Sequence, residues 1–356
     1  MGAGRATGFR RAALKLHRAM SRRTSRLPLV VGALSALRAR HLEYGRRHIA
    51  GFVLIGAILA CAALAGVAWA AGYDQIADVI GNPHPVWFAA ALGGEAVAYL
   101  GYTIAYHEVS RAHPASNLRF LETVAAVAVG FGVFVARGGF AADYEVLSGR
   151  CRDVDDARTR VLGLGVLEYV ILAPVTCAAA CLVLVGGSHI SPSFTMPWAI
   201  GVPAGAVIAL GLMTIRHRFA GHGGWRGRIA RGLDALEMLQ RLADRPLRAC
   251  VALLGMGLYW AGDAFCLWAC LYGFLGRPFS ATALVIAYAS GYALSRRTLP
   301  LAGAGVVETL LPLALLWGSM PLAVAVWAVL AYRFFNLWLP LVPAVVGFRH
   351  LRAASS

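Results

Sequence analysis

Residues 296–308 join two arginines, Arg296 and Arg297, to Pro300, Gly303, Gly305 and Glu308, all between apolar runs too short to cross a bilayer. Lipid cannot solvate broken backbone or a guanidinium, so such a stretch must face protein or a water-filled cavity. Adjacent arginines repel one another and gain from an external anion. The planar guanidinium fork matches phosphate with paired hydrogen bonds. Gly303 and Gly305 permit positive φ and close backbone approach, and Pro300 starts or stops a half-helix. A half-helix beginning near Gly305 aims N–H groups and a positive dipole end at the break. Glu308, in its first turn, either caps that helix or pairs with an arginine. The chemistry these parts suit is anion binding.

Further charges lie within apolar regions: Glu95, Arg137, Asp143, Glu168, Asp263 and Arg333. A lipid-facing charge at mid-membrane costs about 2.5–3.5 kcal/mol, so mutual pairing is the economical arrangement. The pairing expected sets Arg137 and Arg297 against Glu95, Asp263, Glu168 or Glu308. Structural pairing alone and a functional role both fit any single member of this set.

The elements that must position these residues are apolar helices. Composition is 59% hydrophobic and 14% charged, against about 25% charged in soluble domains. Six stretches reach the roughly 20 residues that a bilayer demands: 49–71, 85–106, 161–185, 195–215, 247–273 and 320–348. Two more, 121–147 and 279–317, are interrupted and read as re-entrant hairpins. The fold expected is an all-α polytopic membrane protein with six full spans and two hairpins. Its organisation is a basic arm at 1–48, a transmembrane domain at 49–348 and a tail at 349–356.

Charge supports one orientation. Segment 1–48 holds twelve Lys/Arg against Glu43, and segment 216–246 holds seven arginines against three acids. Loops 72–84, 186–194 and 274–278 hold Arg277 alone among basic residues. The positive-inside rule therefore sets both termini in the cytoplasm of a bacterial inner-membrane protein. The net charge of +16 is spent there, which argues against a nucleic-acid partner.

A weak internal repeat accompanies this topology. Gly94-Glu95-Ala96 and Gly262-Asp263-Ala264 each precede an interrupted hairpin with an arginine, Arg137 or Arg297, at the break. Each hairpin precedes a span with one charge, Glu168 or Arg333. The halves enter from opposite faces, as in the inverted repeats of transporters.

Other groups carry bland readings. The arm at 1–48 is too long and charged for a cleavable signal peptide, and fits a basic surface helix or a disordered arginine-rich arm equally well. Segment 228–241 reads as a surface helix. Cys177/Cys181 and Cys266/Cys270 are packing residues at i,i+4 spacing, and no metal is expected. Asp153, Asp155 and Asp156 sit with Arg150, Arg152, Arg158 and Arg160 in an expected cytoplasmic loop.

Residues 282–347 resemble the carboxy-terminal half of the lysylphosphatidylglycerol synthase transmembrane, or flippase-like, family. The resemblance rests on Leu299-Pro300-Leu301-Ala302-Gly303-Ala304-Gly305-Val306-Val307-Glu308, Leu313-Ala314-Leu315, Gly318, Ala323, Tyr332-Arg333, Trp338 and Pro340. The first half departs from the family pattern. Ala136-Arg137-Gly138-Gly139 with Asp143 replaces the usual Gly-Glu, and Glu168-Tyr169 replaces Glu-Arg. The resemblance implies the lipid-handling membrane module alone, without the soluble aminoacyl-transferase domain.

The function expected is a flippase-like transporter rather than an enzyme, binding an anionic lipid headgroup between the hairpins and using no cofactor. Arg296, Arg297, Gly303, Gly305, Glu308, Arg137 and Arg333 form the binding set, with Glu95, Asp263 and Glu168 for proton coupling or charge pairing. The alternatives are a scaffold recruiting a separate cytoplasmic enzyme, and a membrane-embedded lipid-phosphate enzyme. The last lacks a positioned base, since no histidine lies in either hairpin and Ser295 has no evident partner.

Overall fold

The computed structural model describes residues 51, 54–79, 83–111, 119–131, 144, 154–187, 190–219, 224–293, 299–344 and 346. Contacts divide the chain into units Met1–Gly51 and Phe52–Ser356. The expected basic arm lies outside the described residues, and the elements below belong to the second unit. Among the described residues every regular element is helical.

In chain order these are α1 Leu54–Ala71, α2 Tyr73–Val79, α3 Pro85–Ser110, α4 Phe120–Phe131, α5 Val154–Val185, α6 Pro192–Thr214, α7 Gly224–Ala243 and α8 Pro246–Leu275. Helix α9, Ala281–Tyr288, runs into a π-helical turn at Ala289–Ala293. Helix α10 is Val307–Trp317, and α11, Leu322–Arg333, runs into a second π-helical turn at Phe334–Trp338. Six helices are long and apolar enough to cross a membrane: α1, α3, Thr159–Val185 of α5, α6, α8 and Leu322–Ala344. They match the six expected spans. Pro85, Pro192 and Pro246 open three of them, at the position where a missing N–H costs nothing.

Helices α4, α9 with its π turn, and α10 are apolar but short. At 1.5 Å per residue, the 11 residues of α10 extend about 17 Å, little more than half the hydrocarbon layer. Helix α10 closes with Met320 N–H on Leu315 O and Ser319 N–H on Leu316 O. Ser319 takes φ 71° there, the left-handed cap of a helix end.

The centre of the domain is the pair α3 and α8. A Cβ on Gly94 would lie 2.8 Å from Gly262 O, and one on Gly262 2.5 Å from Gly94 O. A Cβ on Gly101 would lie 2.5 Å from Gly255 O, and one on Gly255 2.8 Å from Gly101 O. The helices therefore run antiparallel with backbones touching at two reciprocal points, the small-residue packing that membrane helices favour. Buried Ala91, Ala98, Ala105, Ala252 and Ala269 extend the seam. A smaller cluster joins Leu64 and Val67 of α1, Ile76 of α2, and Ala323 and Val326 of α11. Trp327 Nε1 donates to Ile76 O at 2.9 Å. Helix α2 falls in a stretch expected to be loop.

One correction and one extension concern the polar ends. Asp155, Asp156, Arg158 and Arg160 belong to the first turns of α5 rather than to a loop. Arg160 is buried and donates to Ser110 O at 2.8 Å, closing a carbonyl at the end of α3 that its own helix cannot reach. The surface helix expected at 228–241 extends over Gly224–Ala243. It buries Leu233, Ala235, Met238 and Leu242, and Met238 lies against Gly163 of α5. On its outer face Glu237 accepts from Arg216 at 2.7 Å and Arg241 at 3.0 Å. The hydrogen bond from Arg241 and the charge of Arg216 hold its carboxyl below the usual carboxylate range.

The glycine seam makes a paired prediction. Gly101→Ala must push α3 and α8 apart and is expected to cost about 1–3 kcal/mol, as overpacking does. Gly93→Ala, one helix face away with nothing within 4 Å of the added methyl, should be neutral or stabilising by up to about 1 kcal/mol. Thermal unfolding of both variants in detergent separates the two cases; equal effects would show that the seam is not close-packed.

Candidate functional site

Two polar clusters occupy the interior, and α11 contributes to both. The first stands at the break between α9 and α10. Here Leu301, Gly303 and Gly305 take φ of 55°, 70° and 86°, alternating with residues of ordinary φ, and each is a conformation that glycine adopts freely and leucine only at a cost of roughly 1–2 kcal/mol. A single 3-10 turn, Pro300–Gly303, precedes α10. A Cβ on Gly305 would lie 3.3 Å from Leu59 Cβ, so the break packs on α1.

Glu308 secures this break. The Gly305 N–H donates to its Oε2 at 2.6 Å, and Arg333 Nε donates to its Oε1 at 2.6 Å. Both side chains are buried, at 0% and 1% exposure. Capping and pairing were alternatives in the sequence; the structure contains both. The carboxylate also sits in the first turn of α10, where the helix dipole favours negative charge.

The second cluster centres on Asp263, near the middle of α8 and fully buried. Tyr288 donates to its Oδ2 at 2.5 Å, while Tyr332 at 2.9 Å and Asn336 Nδ2 at 2.7 Å donate to its Oδ1. Asn336 Nδ2 also reaches Glu95 Oε1 on α3 at 3.5 Å. Its Oδ1 accepts from Tyr292 at 2.7 Å. Four elements converge here: α3, α8, α9 with its π turn, and α11 with its own. Glu95 and Asp263 come together because the glycines beside them, Gly94 and Gly262, touch.

Glu168 is buried on α5, and its backbone carbonyl accepts from Trp260 Nε1 at 2.8 Å. The next residue, Tyr169, donates to Ala293 O at 3.2 Å, at the end of the first π turn. Arg137, Arg296 and Arg297 lie outside the described residues, as does Asp143. Among the described residues, no group of three or more His, Cys, Asp or Glu gathers as a metal site requires.

Sequence reasoning found Glu95, Asp263, Glu308 and Arg333 because charges stand out in apolar runs. It missed Tyr288, Tyr292, Tyr332 and Asn336. A signal was present: Tyr288/Tyr292 and Tyr332/Asn336 each recur at i,i+4, the spacing that puts two polar tips on one helix side. No protein-family model matches the chain, and no curated protein matches it.

The Glu308–Arg333 pair carries a prediction. Glu308→Leu withdraws the carboxylate from a buried guanidinium and is expected to lower stability by about 3–5 kcal/mol. Combining it with Arg333→Met should recover part of that loss. Unfolding of the two variants side by side measures the difference, and a double variant no better than the single one would contradict the pairing as the main contribution.

Proposed function

We propose that this protein binds the anionic headgroup of a membrane lipid, a phospholipid or polyprenyl-phosphate conjugate, and passes it across a bacterial inner membrane. The observation that carries this reading is the broken element within a six-span frame. Helices α9 and α10 are both too short to cross, and they flank a break with three positive-φ residues that is held by Glu308 and Arg333. Irregular backbone at membrane depth is tolerated where it is buried in protein or lines a cavity.

In this reading α9, the break and α10 form a re-entrant hairpin, and α4 begins its counterpart. The reciprocal contact of Gly94-Glu95 with Gly262-Asp263 supports an inverted repeat around the pair α3 and α8. Arg296 and Arg297 hold the phosphate, and Arg137 supplies the second side. Arg333, already committed to Glu308, positions the break. Asp263 and Glu95 form the interior polar centre between the halves. Both termini lie in the cytoplasm, as the arginine distribution requires. The resemblance of residues 282–347 to the flippase-like family points the same way.

The test is movement of fluorescent anionic and zwitterionic lipids in proteoliposomes, wild type against Arg297→Ala. The expected result is anion-selective movement that falls at least about tenfold in the variant, the loss of one charge-assisted contact of roughly 1.5–3 kcal/mol. Movement indifferent to the substitution in a folded protein would remove Arg297 from the site. No movement at all, from either protein, would count against transport itself.

A further inference from the structure

The two π-helical turns are the least expected feature of this chain. Such turns are rare, occur as single insertions within α-helices, and mark functional sites often. Here there are two, and they meet side chain to side chain: Tyr292 of the first donates to Asn336 of the second at 2.7 Å. The second is explicit in its bonding, since Leu339 N–H reaches Phe334 O, five residues back, at 2.9 Å.

Local sequence does little to impose the first turn. Residues 281–293 contain no proline, and contacts from elsewhere hold the widened backbone. Trp198 Nε1 on α6 donates to Ser290 Oγ at 2.8 Å, and Tyr169 on α5 donates to Ala293 O. Gly291 lies against Leu311 of α10, where an added Cβ would come within 2.6 Å of its Cα. At the second turn Pro340 lacks the N–H that an α-helix would present to Asn336 O. Neither helical form therefore has a complete ladder there.

Both turns answer to one carboxylate. Asp263 takes Tyr288 from the turn of helix preceding the first π insertion, and Tyr332 and Asn336 from beside and within the second. We propose that the two π-helical turns are one two-position element pinned by Asp263: when the Tyr292–Asn336 bond opens, both relax together, and the chain after Trp338 changes register by one residue. One residue of an α-helix is about 100° of rotation and 1.5 Å of rise. A discrete, bistable rearrangement of this kind is what conformational switching in packed helices requires. The inference rests on the helices alone and stands or falls independently of the lipid reading.

The experiment reads the second helix while altering the first. Spin labels at Leu341, Val342 and Val346, one per protein in a background without native cysteines, report oxygen accessibility in proteoliposomes. Val342 and Val346 are 68% and 65% exposed, whereas Leu341 is half-buried, so wild type should show maxima at 342 and 346. Tyr292→Phe removes one hydroxyl on the other helix. The expected result is displacement of the maxima away from Val342 and Val346, with Leu341 gaining what Val342 loses. Tyr332→Phe withdraws one of the Asp263 bonds that pin the second turn beside Asn336, and by releasing Asn336 from Tyr292 it should produce the same displacement. It carries the test if Tyr292→Phe proves unstable. An unchanged pattern in folded protein overturns the proposal, and so does a uniform rise at all three positions, which marks fraying rather than rotation.

Discussion

The acid cluster around Asp263 depends on how closely α3 and α8 approach. Between helices in a bilayer there is no hydrophobic force to speak of, because lipid tails are as apolar as leucine. Association must come from close packing and from polar contacts across the seam. The glycines at 94, 101, 255 and 262 supply the first by letting backbone meet backbone. Their neighbours Glu95 and Asp263 supply the second, because the same approach brings both carboxylates within reach of one amide, that of Asn336. A side chain at any of the four glycines would separate the helices and loosen the acid cluster together.

The interior acids Glu308 and Asp263 each gather partners from more than one element. Glu308 meets a guanidinium and a backbone N–H, so its charge is offset directly and its helix end is closed. Asp263 accepts from Tyr288, Tyr332 and Asn336. The arrangement also fixes the orientations of two tyrosines and an asparagine that would otherwise need partners of their own. Satisfying a buried carboxylate and satisfying buried hydroxyls are here the same act.

Much of the frame was legible in the sequence. The six spans follow from hydropathy and length, and their ends differ from expectation by a few residues because prolines at 192 and 246 begin helices slightly earlier than the apolar run. The match of Gly94-Glu95 with Gly262-Asp263 was visible as a pattern, though the direct contact between the two was not. Tyrosines in an apolar helix look like packing residues, and only tertiary proximity to Asp263 reveals the polar role of Tyr288 and Tyr332. The π turns left one local trace, Pro340, and that residue reads equally well as an ordinary kink. A charge such as Arg160 beside an acidic cluster suggests solvent, whereas in the fold it donates to the last carbonyl of α3. The arginines at 137, 296 and 297 lie outside the described residues, so that part of the expected binding set stands on sequence chemistry.

Helix α11 ties the break to the acid cluster. Tyr332 and Arg333 are successive residues, about 100° apart around the helix, and they serve different neighbours: Tyr332 binds Asp263 on α8, while Arg333 binds Glu308 on α10. Rotation of α11 in either direction opens one contact or both. The helix is thereby locked at two angles at once, by an ion pair on one side and by a hydrogen-bonded carboxylate on the other. A change at the break that alters Glu308 acts on Arg333, and through the rigid backbone on Tyr332 and Asn336 one turn further on. Mechanical coupling between the break and a mid-span carboxylate follows from this shared helix without any longer chain of contacts.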